Sequence, residues 1–230
     1  MAIIEPFALA IGFLLSYIYD FEVSYGVSIV ILTIIINIII FPLTLRQTRS
    51  TKRMQDAQPE LKRIQKQYKD NKEEMNKKVA EYYKENGINP LGCIVPLLVQ
   101  MPVWFALFRV LREPLLFIPK EATLYSALGD PLSVLFFNMD LQVPASAINA
   151  WVDRLPYIVL ILFVVGTALI QQNQLTKKQG TTNNPQQQQM QMIGKVMPIF
   201  FGFISWTLPS GLVVYFLTGN IFRIGQQALI

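Results

Sequence analysis

The feature that most constrains this chain is the uncharged run at residues 24–45, SYGVSIVILTIIINIIIFPLTL. As a helix rising ~1.5 Å per residue it would reach ~33 Å, enough to cross a hydrocarbon core of ~30 Å. Helices buried in soluble proteins are rarely apolar on every face for this length, so the run predicts a membrane span. Residues 46–86 follow with 12 Lys or Arg against seven Asp or Glu. The positive-inside bias therefore places residue 24 outside and the basic block in the cytoplasm.

The composition indicates a membrane protein and excludes several kinds of chemistry. Of 230 residues 52% are hydrophobic and 15% are charged, against ~25% charged in soluble domains. The net charge of +5 requires no nucleic acid, because the basic residues cluster on one side of the predicted membrane. Cys93 is the single cysteine, which excludes an intramolecular disulfide, and the chain has no His, the commonest metal ligand. We expect a non-enzyme without metal, cofactor or direct nucleic-acid recognition.

The order of apolar segments predicts an all-α polytopic membrane protein with five transmembrane helices, the N-terminus outside and the C-terminus inside. The apolar run at residues 6–19 is short for a span, so residues 1–23 are expected to form an outer amphipathic helix in the interface. A sixth, short span there is the alternative. The spans are predicted at residues 24–48, 89–112, 154–174, 190–208 and 210–230. They are joined by a cytoplasmic helical hairpin (49–88), an outer loop (113–153) and a cytoplasmic linker (175–189).

The basic block has a helical rhythm of apolar residues. One stripe is spaced 3, 4, 3, 4 and a second continues after a turn signal at residues 69–71: Met54, Ala57, Leu61, Ile64 and Tyr68, then Met75, Val79 and Tyr82. This predicts two antiparallel helices. They either keep the cytoplasmic ends of the spans solvated or form a docking platform for a client or partner, with Arg46, Arg49, Lys52, Arg53, Met54, Lys62 and Arg63 as the candidate docking residues.

Polar side chains interrupt the predicted spans. Thr33 and Asn37 are four residues apart and share one helix face, and Gln100 lies between Pro96 and Pro102. Such residues either hydrogen-bond neighbouring helices or line a hydrated recess.

Several motifs together resemble the YidC/Oxa/Alb family of membrane protein insertases. They are FPLTLRQ (41–47), MQ (54–55), QPE (58–60), NPLGC (89–93), PLL (96–98), QMPVW (100–104) and LPSGL (208–212) with Tyr215, in order over residues 25–227. The resemblance implies a five-helix core around a hydrophilic groove that is open to cytoplasm and lipid and closed outside. The matching groove positions are Thr33, Asn37, Gln100, Trp104, Trp206 and Tyr215.

The sequence departs from the family at one groove position. Many bacterial members carry a basic residue four positions after the Thr that Thr33 matches, and this chain has Asn37 there. That difference puts in doubt a mechanism in which one buried cation on the first span attracts an acidic client.

The resemblance implies a membrane protein insertase in a bacterial plasma membrane, an organelle membrane being the alternative. The expected partners are nascent membrane proteins, the lipid bilayer, the ribosome or signal recognition machinery, and the Sec translocon. A small-solute transporter or channel and a non-catalytic assembly scaffold are the alternative functions.

Overall fold

A computed structural model describes residues 4–21, 24–88, 95–130, 132–177 and 196–228, excluding the side chains of residues 46–52, 54–55, 95–99 and 175–177. The described chain is mostly helical. Its helices are α1 (Glu5–Tyr19), α2 (Tyr25–Asp56), α3 (Gln58–Gln67), α4 (Lys72–Glu85), α5 (Val95–Arg112), α6 (Pro114–Phe117), α7 (Thr123–Ala127), α8 (Trp151–Lys177), α9 (Val196–Ser205) and α10 (Ser210–Ala228).

Two of these helices have segments long and apolar enough to cross a membrane, Tyr25–Leu45 in α2 and Trp151–Gln174 in α8. On α8 the apolar side chains of Leu162 and Phe163 are 64% and 59% exposed. Such large apolar surfaces are unfavourable in water but suit contact with lipid. The helix of α2 does not end near residue 48 but continues to Asp56. A new helix then begins with Pro59 in its first turn, because proline lacks the N–H that a continuing helix would need.

The basic block contains a pair of packed helices, α3 and α4. Asn71 caps α4, accepting a hydrogen bond of 3.2 Å from the Glu74 N–H. Gly87 follows α4 with φ of 60°, the left-handed conformation that glycine commonly supplies after the end of a helix. On the exposed face, the Lys78 ammonium donates a 2.8 Å hydrogen bond to Glu81. That bond raises the pKa of Lys78 and lowers the pKa of Glu81.

The segment between α5 and α8, which was predicted to lie outside the membrane and is called the outer segment below, differs from the purely helical prediction. It carries α6, α7 and a short 3₁₀ helix, Ala145–Ala147, but also an antiparallel hairpin of β1 (Leu135–Phe136) and β2 (Met139–Asp140). Phe137 and Asn138 form its turn with φ of 50° and 59°, the signs that a two-residue primed turn requires. The sequence prediction missed this hairpin because the turn lacks the Asn-Gly or Asp-Gly pair that signals it.

The outer elements are attached to the ends of the long helices. The Ser210 and Gly211 N–H groups donate to Val143 and Leu141 carbonyls at 3.1 and 2.9 Å, which ties the outer segment to the start of α10. Helix α1 packs against α2, α5, α6 and α7. A Cβ on its Gly12 would lie 2.3 Å from the Phe117 carbonyl oxygen, so this close approach requires glycine.

Candidate functional site

On α2, α5 and α8 the packing is tight in the half nearer the outer segment and looser beyond it, whereas the buried residues of α10 continue to Gln226. On α2 the buried residues among those described end at Ile36; on α5 they begin at Ala106; and on α8 they end at Val164. Each of these limits lies about midway between the helix ends. The described apolar core therefore fills the half nearer the outer segment, and the predicted polar positions lie where this core ends.

Thr33 and Asn37 are placed differently at this level of α2. Thr33 is fully buried and its hydroxyl donates 2.6 Å to the Ile29 carbonyl, one turn earlier. Asn37 is half-buried, and its Nδ2 donates 2.8 Å to the Thr33 carbonyl. The Thr33 hydroxyl is thus satisfied within its own helix, whereas the Asn37 amide has capacity left for water or a ligand.

Gln100 and Tyr215 connect α5 to α10 across 115 residues of sequence, the Gln100 Nε2 donating to the Tyr215 hydroxyl. The Tyr215 side chain is 2% exposed, and α10 begins five residues earlier at the turn held by the outer segment. This bond brings two of the sequence-predicted groove residues into direct contact.

Trp104 lies one turn after Gln100 on α5. Its ring stacks on Phe216 of α10 with centroids 6.5 Å apart and planes at 24°. Its Nε1 is buried and has no hydrogen-bond partner among the described residues. A buried indole N–H usually has a partner, so Trp104 adds a donor to this cluster.

Arg223 lies close to this cluster, although the sequence analysis did not select it as a groove residue. Its guanidinium folds back along α10, so that Nη2 lies 3.1 Å from where a Cβ on Gly219 would be. Its Nε is buried without a partner among the described residues. The sequence spacing could have indicated this position. Arg223 is the lone cation of the last predicted span, four residues after Gly219 and eight after Tyr215, and therefore shares their helix face.

Trp206 lies apart from these residues. Its ring carries the Arg154 guanidinium, 5.5 Å from the ring centroid, and its carbonyl accepts from the Ser146 N–H of the outer segment. The structure therefore brings Gln100, Trp104 and Tyr215 together, adds Arg223, and places Trp206 at the outer end.

The predicted docking residues lie on the other side, along the end of α2 and on α3. Arg53 is exposed, and exposed Arg63 forms a 3.3 Å ion pair with Glu60. Lys62, on α3, is half-buried. The side chains of Arg46, Arg49, Lys52 and Met54 fall outside the described part of the structure. Among the described residues no group of His, Cys, Asp and Glu could hold a metal ion.

These features define a mostly helical membrane protein in which polar side chains from separate helices meet where the packing loosens. The family model described as 60Kd inner membrane protein matches residues 17–230, and the chain belongs to this family. The family membership that the sequence motifs predicted is therefore confirmed.

Two relatives named "Membrane protein insertase YidC" are each 37% identical to the chain. The one from Fusobacterium nucleatum matches over 96% of this chain and 92% of its own length. The one from Pelobacter propionicus matches over 94% of this chain and 36% of its own length. A third relative of the same name, from Wolinella succinogenes, is 32% identical over 97% of this chain and 37% of its own length. The chain thus spans about a third of the length of the latter two.

Proposed function

We propose that this protein is a membrane protein insertase of a bacterial plasma membrane. Its clients are nascent membrane proteins, and it lowers the barrier to moving a client's polar segment into and across the bilayer without covalent chemistry or a cofactor. Two facts support this proposal. The relatives carry that name, and the polar cluster lies where the tightly packed outer half ends.

The burial gradient carries the argument. A polar group stranded in hydrocarbon costs several kcal/mol. If water enters from the inner side as far as Asn37, which is eight residues from Leu45, the recess extends ~12 Å into a core of ~30 Å. The sealed outer half keeps the membrane closed to solutes. The dry path that the client must cross is therefore more than a third shorter than the full hydrocarbon core. Burial of the client's apolar segment in lipid then drives the step.

The proposed topology retains the five spans, with α1 in the outer interface and the α3–α4 hairpin in the cytoplasm. In this arrangement α2, α5, α8, α9 and α10 cross the bilayer. The exposed face of α1 is itself apolar, with Phe13 62% and Tyr17 55% exposed, which suits contact with lipid.

The proposed cytoplasmic docking surface consists of Arg46, Arg49, Lys52, Arg53, Met54, Lys62 and Arg63. Exposed Arg53 and Arg63 give it positive charge. We assign it to early contact with the client or with the ribosome, signal recognition machinery or Sec translocon. Binding of the protein to client-containing membranes and to ribosome-bound nascent chains is measured with the wild type and with a variant in which the charges of Arg53 and Arg63 are reversed. The binding that the variant loses identifies the partner of this surface.

The test is reconstitution of the purified protein in liposomes with a single-span client, measuring protease protection of the inserted segment. Insertion should exceed that in protein-free liposomes. The Asn37→Leu/Gln100→Leu variant should lose most of this excess, because it replaces by apolar groups two polar side chains that hold water in the recess. The matched variant Thr207→Val/Thr218→Val also replaces two polar side chains, but outside the cluster, and should keep it. Insertion no better than in protein-free liposomes would reject the proposal, and retained insertion by the first variant would reject the groove.

A further inference from the structure

We infer that Arg223 is the anion-binding residue of the groove and that it binds carboxylates of the client's polar segment. It supplies from the last helix the positive charge that position 37 lacks. This inference rests on the proposed function and specifies the class of client: segments that carry Asp or Glu.

The register of two helices fixes the depth of the guanidinium. Gly211 of α10 packs on Ile29 of α2, where an added Cβ would lie 3.1 Å from the Ile29 Cδ1. About four turns further along, the Gln226 Nε2 donates 2.8 Å to the Thr44 Oγ1. Both pairs are separated by 182 residues, so the helices run parallel in constant register. The same offset places Gly219 level with Asn37, and the guanidinium lies over Gly219.

The direction of the Arg223 side chain argues against a role at the inner membrane surface. Side chains on a helix tilt toward its N-terminus, and α10 starts at the outer segment. Arg223 accordingly points away from the cytoplasmic side. Gly219 is nine residues, or ~14 Å, from the start of α10, near the middle of a core of ~30 Å. Because Gly219 has no side chain, it leaves the space that the guanidinium occupies.

The chain itself provides no carboxylate for this charge within the predicted spans. Residues 24–55, 87–112 and 155–230 contain neither Asp nor Glu. The Arg223 Nε is buried without a partner among the described residues. Charged side chains inside a membrane are rare and as a rule paired. The described residues thus leave the Arg223 Nε available, and an acidic client segment that enters the recess meets this charge together with the Gln100 and Tyr215 groups.

The test compares two clients in liposomes, identical except that the translocated segment carries two Glu or two Gln. Arg223→Gln should lower insertion of the Glu client about tenfold or more, the effect of losing a charged hydrogen bond, and leave the Gln client unchanged. Asn37→Arg added to Arg223→Gln should restore the Glu client, because it returns a cation to the same depth.

A second pair of variants keeps the arginine. Gly219→Val should displace the guanidinium and lower insertion of the Glu client selectively. Gly225→Val, at a position with no neighbour within 4 Å of an added Cβ, should not. Insertion of the Gln client at the wild-type rate shows that each variant folds.

Three outcomes would overturn the inference. Equal insertion of both clients by Arg223→Gln and wild type would show that the charge does not contact the client. An equal fall for both clients, abolished in liposomes without anionic lipid, would assign Arg223 to a lipid phosphate. If wild type inserted neither client better than protein-free liposomes, the proposed function would fail along with the inference.

Discussion

Replacing Tyr215 with Phe removes one hydroxyl from the polar cluster and leaves the aromatic ring in place. The hydroxyl accepts the Gln100 Nε2 hydrogen bond, and the side chain is 2% exposed. In a dry, sealed site the stranded Gln100 amide would cost ~1–3 kcal/mol. In a recess that water enters, water replaces the hydroxyl. The free energy of unfolding should then fall by no more than about 0.6 kcal/mol, the average for a hydrogen bond between membrane helices.

A double-mutant cycle isolates this bond. Tyr215→Phe, Gln100→Leu and the double variant are unfolded in mixed micelles with a rising fraction of SDS, and the coupling energy is taken from the four free energies of unfolding. Thr218→Val serves as control, because that hydroxyl donates 2.9 Å to the Val214 carbonyl within its own helix. We expect a coupling of about 0.6 kcal/mol. A coupling above ~2 kcal/mol would show that the pair is sealed from water and would refute the hydrated recess.

Four further predictions concern packing and charge. Gly12→Ala should lower the free energy of unfolding by ~1–3 kcal/mol, because the Phe117 backbone cannot yield. Gly166→Ala, where an added Cβ meets nothing within 4 Å, should raise it by ~0.5–1 kcal/mol in the same denaturation assay. Asn220→Leu should cost ~0.6–1.7 kcal/mol in that assay, since the Asn220 Nδ2 donates 3.3 Å to the Val164 carbonyl on α8. Lys78→Met should raise the pKa of Glu81 toward its ordinary value in an NMR titration. In the wild type, the contribution of this ion pair to stability is present above the ordinary carboxyl pKa and is lost as pH falls through the lowered pKa of Glu81. An unchanged Glu81 pKa, or equal effects of the two glycine changes, would contradict these contacts.

The sequence predicted best what depends on hydrophobic length and local periodicity. All but the first residue of the uncharged run at residues 24–45 lies within α2, and the apolar stripes of the basic block correspond to helices on either side of Pro59 and the turn before Lys72. These features follow from residues close together in the chain. The extension of α2 to Asp56 was not predicted. Residues 46–56 are equally compatible with the start of a separate cytoplasmic helix and with a solvated extension of the same helix.

The polar cluster depends on contacts that no local pattern encodes. Gln100 and Tyr215 were each proposed for the groove from the family motifs, but their bond joins residues 115 apart. Arg223 was missed because a cation near the end of a span normally points to the nearest membrane surface. Its actual direction depends on the space over Gly219 and on the orientation of α10. Trp206 shares a motif region with Tyr215 yet packs on Arg154, because the outer segment holds it there.

The central claim is that water reaches the level of Asn37 from the cytoplasmic side only. The most direct measurement places a cysteine at position 37 in a variant whose single natural cysteine, Cys93, is Ala, and exposes oriented membranes to a membrane-impermeant maleimide from each side. We predict labelling from the cytoplasmic side, at a rate well above that of a cysteine at lipid-facing Ile39, and no labelling from outside. Failure to label from the cytoplasmic side, or labelling from the outside, would contradict the account.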